Sequence, residues 1–421
     1  MAAVYIIGIH MSAFGRWPQT SFKDLAAEGV AGALADAGLE HGREVDGIWF
    51  ANSAMGAAGQ GSIRGQVALS RLFDGGQLAV GTHVVNVENA CASASTALHG
   101  AIRDILSGQA RIVLALGLEK LFRPIQDDAD KARSLKGFSA GADMLEPDRW
   151  INYYRDVAAS LGLSFVLGAD RSSFMDTYAL QARWAMRWRG LKIEHLAAAA
   201  AKAHDMGALN PKAQYRFRMT PEEVLADRVV SAPLTRAMCA PIGDGVAAAL
   251  LCDEMTWRGL DAQVRARSLR VRACVMEGGH YRAPESPGLI ERAAARAFAA
   301  SGAVPGDIDV AEVHDATSYG EIHIPEALGL CPRGEAGPLA LAGETRPGGA
   351  MPINPSGGLV SRGHPVGATG LAMIYELGSQ LRNEAGERQT REPQLALAYN
   401  GGGSMGFDEA VGVVTILEAA R

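Results

Sequence analysis

One pattern occurs twice in this 421-residue chain, and it narrows the folds open to it more than any other feature. A loop with a reactive side chain runs straight into a helix-like segment, and a strand-like segment follows. The first copy is NACASASTALHGAIRDIL followed by RIVLALGLE, with Cys91 in the loop. The second is RGHPVGATGLAMIYELGSQL followed by QLALAYNGGG, with His364 in the loop. Strand-like and helix-like stretches alternate around both copies. VYIIGI (4–9), VDGIWFAN (45–52), THVVNVE (82–88) and RIVLALGLE (111–119) read as strands, and residues 22–38 space Leu25, Val30 and Leu34 as a helix does. GVAAALLCDE (245–254), LRVRACVMEG (269–278) and DIDVAEVHD (307–315) are further strands, 288–302 and 369–383 further helices, and 394–417 a strand, a glycine turn and a strand. This alternation predicts an α/β fold with a mainly parallel sheet.

Residues 121–230 break the pattern with charge runs, aromatics and irregular spacing, including a helical DTYALQARWAMRWRG. They read as a subdomain inserted in a first half, 1–265, with the second half at 266–421. Such insertions serve as lids, binding surfaces or packing and dimerisation units. Trp150, Tyr153, Tyr154, Trp184, Trp188 and Tyr215 suit either a bulky or aromatic substrate or the core or dimer interface of the insertion.

A formal charge of −6 gives no reason to expect nucleic acid or a membrane surface as partner. No run of about 20 apolar residues occurs, so no membrane span is expected. The start, MAAVYIIGIHM, reads as a strand rather than a leader. Five cysteines (Cys91, Cys239, Cys252, Cys274 and Cys331) are widely spaced without a CxxC pair. That argues against a disulfide framework or a cysteine-rich zinc site; no metal is expected, and a reducing cytoplasm fits best.

Cys91 precedes a helix, where the dipole and free N–H groups are expected to lower a thiol pKa. Small neighbours, Ala90, Ala92 and Ser93, leave room for a substrate. By itself it reads more readily as a buried small hydrophobe, the common setting of a free cysteine. His364 lies in INPSGGLVSRGHPVGATG, a loop whose glycines fix the backbone and let a ligand come close. His314 ends the strand VAEVHD, at the end where α/β folds place sites. YNGGGSMG (399–406) offers backbone N–H groups for an oxyanion, or a plain tight turn. A cysteine nucleophile needs a base such as histidine, and a developing oxyanion needs preorganised donors.

NACASAS, GDGVAAALL, VHDATSYGE, NPSGGLVSRGHPVGATG and NGGG stand in the order seen in the thiolase superfamily. The chain resembles its sterol-carrier-protein-type members, because His314-Asp315 stands where biosynthetic members carry Asn-Glu. The resemblance implies a thiolase fold: two similar βαβαβαββ halves in five α-β-α-β-α layers, with a loop subdomain inserted in the first half. It implies Cys91 as the acylated nucleophile, His364 as its activator, His314 as an oxyanion donor, and Gly401 with the Cys91 N–H as a second oxyanion hole. AMCAPIGDG (237–245) falls where the family lines its coenzyme A channel, which points to Ala240 and Pro241; Ser356 and Gly357 are added as coenzyme A contacts. The usual serine of that channel is Ala240 here. No permanently bound cofactor is implied, only acyl-CoA as substrate. A homodimer or tetramer and, for members of this branch, a small zinc-ribbon/OB-fold partner protein are implied as well.

The departure is the second cysteine, which in the family handles the substrate α-proton. Tyr399 occupies one of its two known places and Ala316 the other. Tyr399, His314, a group from the insertion and a partner subunit are the substitutes to weigh. Four activities follow. The first is acyl-CoA thiolysis or the reverse Claisen condensation through acyl-Cys91. The second is a thiolase-fold aldolase on a β-hydroxyacyl-CoA, with Tyr399 and Tyr319 as acid and base. The third is a decarboxylating condensation, and the fourth a non-catalytic binding subunit.

Overall fold

The computed structural model describes residues 3–122 and 141–420. Its strands are β1 (Val4–Met11), β2 (Gly47–Ala51), β3 (His83–Val87), β4 (Ile112–Lys120), β5 (Val229–Ser231), β6 (Leu234–Thr235), β7 (Asp244–Asp253), β8 (Leu269–Gly278), β9 (Val310–Val313), β10 (Leu395–Gly402) and β11 (Val411–Ala419). Apart from the β5–β6 hairpin they form one array in the order β3-β2-β4-β7-β1-β8-β11-β10-β9. The array divides at β1 and β8, which share only the pairs Tyr5–Arg270 and Ile6–Leu269. Each side then repeats one strand order. In the second half a lone parallel bridge, Ala311 to Ile353, stands where the first half has β3.

The expected mainly parallel sheet is instead mixed. β2 pairs in parallel with β3 and β4, and β9 with β10, while the pairs of β7, β1, β8 and β11 are antiparallel. Helices cover both faces, so even antiparallel strands carry unbroken apolar runs such as the VAAALL of β7. Such runs report two-sided burial, not strand direction.

The longer helices are α1 (Phe22–Asp36), α2 (Arg64–Asp74), α3 (Ser93–Leu106), α4 (Pro147–Ser160), α5 (Ser173–Trp188), α6 (Ile193–Leu209), α7 (Leu289–Ser301), α8 (Ser318–Leu328) and α9 (Thr369–Leu381). One core joins α3 and α9 to the inner faces of both halves, through Ala97, Leu98, Leu371 and Ile374 against Ile6, Ala249 and Ala398. A second core packs α1 and α2 on the outer face of the first half, and a third packs α7 on the outer face of the second. This is the five-layer thiolase arrangement, with α3 and α9 in the middle layer.

Helices α4, α5 and α6 fall within the expected insertion. They build a core of Trp150, Tyr154, Trp184 and Leu196 that also takes in Tyr319 and Ile322 of α8. Burial of each such side chain contributes about 1.5–3 kcal/mol. Trp150, Tyr154 and Trp184 are therefore subdomain core, whereas Trp188 is exposed. The shared core lays the insertion over the second half, and Tyr178 of α5 packs against both this core and the central one. Among the described residues no helix is long and apolar enough to cross a membrane.

Candidate active site

Strand β3 delivers the chain to the start of α3 through a turn with unusual backbone. Ala90 has φ +47°, a left-handed conformation that costs a non-glycine residue about 1–3 kcal/mol. The turn is held by Ala90 N–H donating to Glu88 Oε1 (2.6 Å) and Ser93 Oγ donating to Ala90 O (2.7 Å). Cys91 follows, half-buried.

His364 Nε2 lies 3.3 Å from Cys91 Sγ. Its other nitrogen lies 2.7 Å from Thr369 Oγ1, and that hydroxyl donates its own proton to Pro365 O at 3.0 Å. Thr369 therefore accepts from Nδ1–H. Nε2 is left bare and faces the thiol, which is the tautomer a general base needs.

His314 takes the opposite tautomer. Asn400 Oδ1 accepts from Ser95 Oγ (2.9 Å), and Asn400 Nδ2 meets His314 Nδ1 at 2.9 Å and Gly401 O at 3.5 Å. The amide nitrogen thus donates to Nδ1, and Nε2 carries the proton. The two rings stand edge to face, 5.3 Å apart at an interplanar angle of 79°. Gly370 lets the two halves meet here, since a Cβ on it would fall 2.1 Å from Ser95 Oγ and 2.6 Å from Asn400 Oδ1.

Cys91, His314 and His364 present ligand-type atoms all within 4.8 Å of one another. A thiol and two imidazoles are also a zinc-type donor set, so this triangle is where a metal ion would compete with the Cys91–His364 contact.

The expected lowering of the Cys91 pKa is overturned. Burial first, then the charges of Glu88, Glu119 and Glu409, push the thiol up from 9.0 to about 12. Burial, His314 and Arg362 hold His364 well below 6.5, and burial with Arg362 brings His314 down to about 3. The resting pair is a neutral thiol against a neutral imidazole.

Behind the glycine-histidine loop lies an ion pair with no exposure on either side, Arg362 Nη1 to Glu312 Oε2 at 2.8 Å. Ser356 is bound into it, with its hydroxyl donating to Glu312 Oε2 at 2.8 Å, and is itself fully buried. Gly357 has φ +96°, and a Cβ there would sit 2.8 Å from Gly207 N. Ser356 and Gly357 thus shape the loop from behind. Glu119 accepts from Gly367 N–H (3.2 Å), Ser53 N–H (2.9 Å) and Asn52 Nδ2 (2.8 Å), tying the His364 loop to the first half.

Ala240 N–H donates to Ala316 O (3.0 Å), which sets Ala240 beside the segment two residues after His314. Gly401 is buried beside Asn400 and pairs with Gly412. Tyr399 has no exposure and packs with Leu289, Val313 and Val414 in the outer core, on the sheet face opposite Asn400. Tyr319 is buried and stacks on His323, 5.4 Å away at 2°. The structure therefore brings Cys91, His314, His364 and the Gly401 backbone together; the Tyr399 ring packs in the outer core with its hydroxyl beside Glu409, and Tyr319 lies in the insertion core. A cavity lined by Gln181, Trp184, Arg189, Arg282, Tyr319 and Phe407 lies to one side and contains none of the three reactive residues.

Asn400, Ser95, Thr369 and Glu119 hold the side chains and loops of this site, and the sequence alone did not single them out. Asn400 and Thr369 were within reach, because each is a polar residue inside a motif already marked.

Residues 4–224 match the family described as Thiolase, N-terminal domain, and residues 287–417 match Thiolase C-terminal domain-like. The chain is 33% identical to the acetyl-CoA acetyltransferase of Methanothermobacter thermautotrophicus over 96% of its own length and 98% of the relative's. It is 34% identical to Homo sapiens sterol carrier protein 2 over 97% of its length and 73% of the relative's. Its fold is shared with a solved Ltp2-ChsH2(DUF35) aldolase at TM-score 0.77, 21% identity and coverage of 100% and 98%.

Proposed function

Because this chain belongs to the thiolase family and is an acyltransferase of that type, we propose that it cleaves or forms the C–C bond of a 3-oxoacyl-CoA through an acyl-Cys91 intermediate. The observation that carries this reading is the 3.3 Å contact between the bare His364 Nε2 and Cys91 Sγ. In cleavage, Sγ attacks the 3-oxo carbonyl carbon while its proton passes to His364. The oxyanion formed there is held by the Cys91 and Gly401 N–H groups. The C2–C3 bond then breaks, and the departing acetyl thioester carries its enolate oxygen against His314 Nε2–H. The enolate takes a proton at its α-carbon from a second acid, and a coenzyme A thiol then gives its proton to the base so formed and attacks acyl-Cys91. Sγ leaves, takes its proton back from His364, and the shortened acyl-CoA is released.

Coenzyme A is a substrate in this scheme, with its pantetheine arm passing Ala240 and Pro241 and the loop shaped by Ser356 and Gly357 closing over it. The aldolase reading, with Tyr399 and Tyr319 as acid and base, needs no covalent cysteine, so the intact Cys91–His364 contact speaks against it. Assembly as a dimer or tetramer, and with a small zinc-ribbon/OB-fold protein, belongs to the same proposal. A thiol nucleophile also suits a reducing cytoplasm.

The test is intact-protein mass after mixing with short, aromatic and steroidal acyl-CoAs, wild type beside Cys91→Ala. An acyl adduct on wild type alone is expected. Absence of any adduct with every donor, or cleavage retained in Cys91→Ala, would overturn the proposal.

A further inference from the structure

C–C cleavage leaves an electron pair on the α-carbon of the departing thioester, and condensation must take a proton from that same carbon. Neither imidazole is free for this. His364 serves Cys91 through Nε2 and is fixed by Thr369 through Nδ1, and His314 Nε2–H is a donor to oxygen.

Building on the acyl-Cys91 reading, we propose that Glu409 is the acid/base at the substrate α-carbon, with the Tyr178 hydroxyl beside it. Glu409 ends the turn between β10 and β11. Its Oε1 stands 2.7 Å from where a Cβ on Gly401 would be, and its Cγ stands 2.8 Å from that point. The missing side chain at 401 thus makes room for this carboxyl beside the Gly401 backbone, on the Tyr399 side of the strand. The adjacent Asp408 takes up the available cation, Arg282 Nε at 2.6 Å, together with the Leu289 N–H at the start of α7. Among the described residues no ion pair holds Glu409.

Its polar surroundings are Tyr399, Asp408, Arg282 and, from the insertion, Tyr178. Tyr178 lies on α5, half-buried between the central core and the insertion core, and Cys91, Glu409 and Tyr154 are the titratable groups around its hydroxyl. Burial first, then Asp408, raises Glu409 from 4.5 to about 7. A carboxyl in that range serves as acid and as base near neutral pH.

The step balances. As the C2–C3 bond breaks, its electron pair becomes the enolate of the departing acetyl thioester. The Glu409 carboxylic acid gives its proton to the α-carbon and is left as carboxylate. In condensation the carboxylate removes an α-proton, and the carbanion attacks the carbonyl carbon of acyl-Cys91.

The test compares two readouts on the full chain: adduct formation at Cys91 by intact mass, and exchange of acetyl-CoA α-hydrogens with deuterium oxide. Glu409→Gln is expected to form the adduct within about threefold of wild type and to lose α-exchange and C–C cleavage by about 100-fold or more. Exchange within about threefold of wild type would overturn the inference. If Glu409→Gln forms no adduct, Glu409→Asp replaces it: exchange must fall relative to adduct formation, and an equal fall in both would overturn the inference. A wild type that exchanges α-hydrogens without forming an adduct would instead sink the acyl-Cys91 reading and leave Glu409 to be judged on exchange alone.

Discussion

Asn400 donates a hydrogen bond to His314 Nδ1 across 2.9 Å, and that contact decides what the imidazole offers a substrate. With Nδ1 accepting, the proton must sit on Nε2. Asn400→Leu removes the constraint, so kcat for C–C cleavage is expected to fall about 10²–10³-fold, the usual cost of losing one oxyanion donor. Steady-state kinetics check this, and an unchanged kcat would mean that another group sets the tautomer.

Thr369 plays the reciprocal part for His364. Thr369→Val leaves Nδ1–H without an acceptor in a buried place, a loss of about 1–3 kcal/mol, so acylation of Cys91 should slow by about tenfold or more. Thr369→Ser restores the acceptor and should acylate near the wild-type rate. Time-resolved intact mass distinguishes the two variants.

The Arg362–Glu312 pair predicts a loss of stability. Glu312→Gln strands a guanidinium that has no exposure, at a cost of about 3–5 kcal/mol. Urea denaturation should show a lower midpoint at similar slope. A midpoint within error of wild type would mean that solvent reaches Arg362 after all.

His314 also imposes a pH dependence. Burial first and Arg362 second hold its folded-state pKa at about 3, against 6.5 when free. The folded state therefore binds fewer protons than the unfolded chain in that interval, and stability is lost as pH falls from 6.5 towards 3. His314→Asn lacks this dependence. Its stability relative to wild type should improve by about 2 kcal/mol between pH 7.5 and pH 5, while the carboxyl contributions common to both proteins cancel. Denaturation curves at the two pH values measure it; a constant difference would contradict the assignment.

The strands, the helix after Cys91 and the doubled loop–helix–strand unit were legible because burial on both faces leaves long apolar runs and amphipathic spacing. Strand direction was not, since β7 is as apolar in an antiparallel pairing as a parallel strand would be. Cys91, His314 and His364 were legible from their glycine-rich or strand-end settings. The state of Cys91 was misread because the helix-dipole argument leaves out burial, the neighbouring Glu88 and two carboxylates from distant segments, Glu119 and Glu409. What surrounds Tyr399 was not legible: strand alternation sends it to the opposite face from Asn400, its neighbour in sequence, where its hydroxyl meets Glu409. Glu409 and Tyr178 carry no motif, and only the packing of the insertion over the second half draws attention to them.

Cys91 rides at the head of α3 in one half and His364 just ahead of α9 in the other, while the two halves share only two strand pairs. A single copy of the repeated unit holds a thiol without a base or a base without a thiol. Turnover is then a gauge of how the two lobes align, and a chain severed between 265 and 266 would give two inert pieces whose recovered activity counts reassembled molecules.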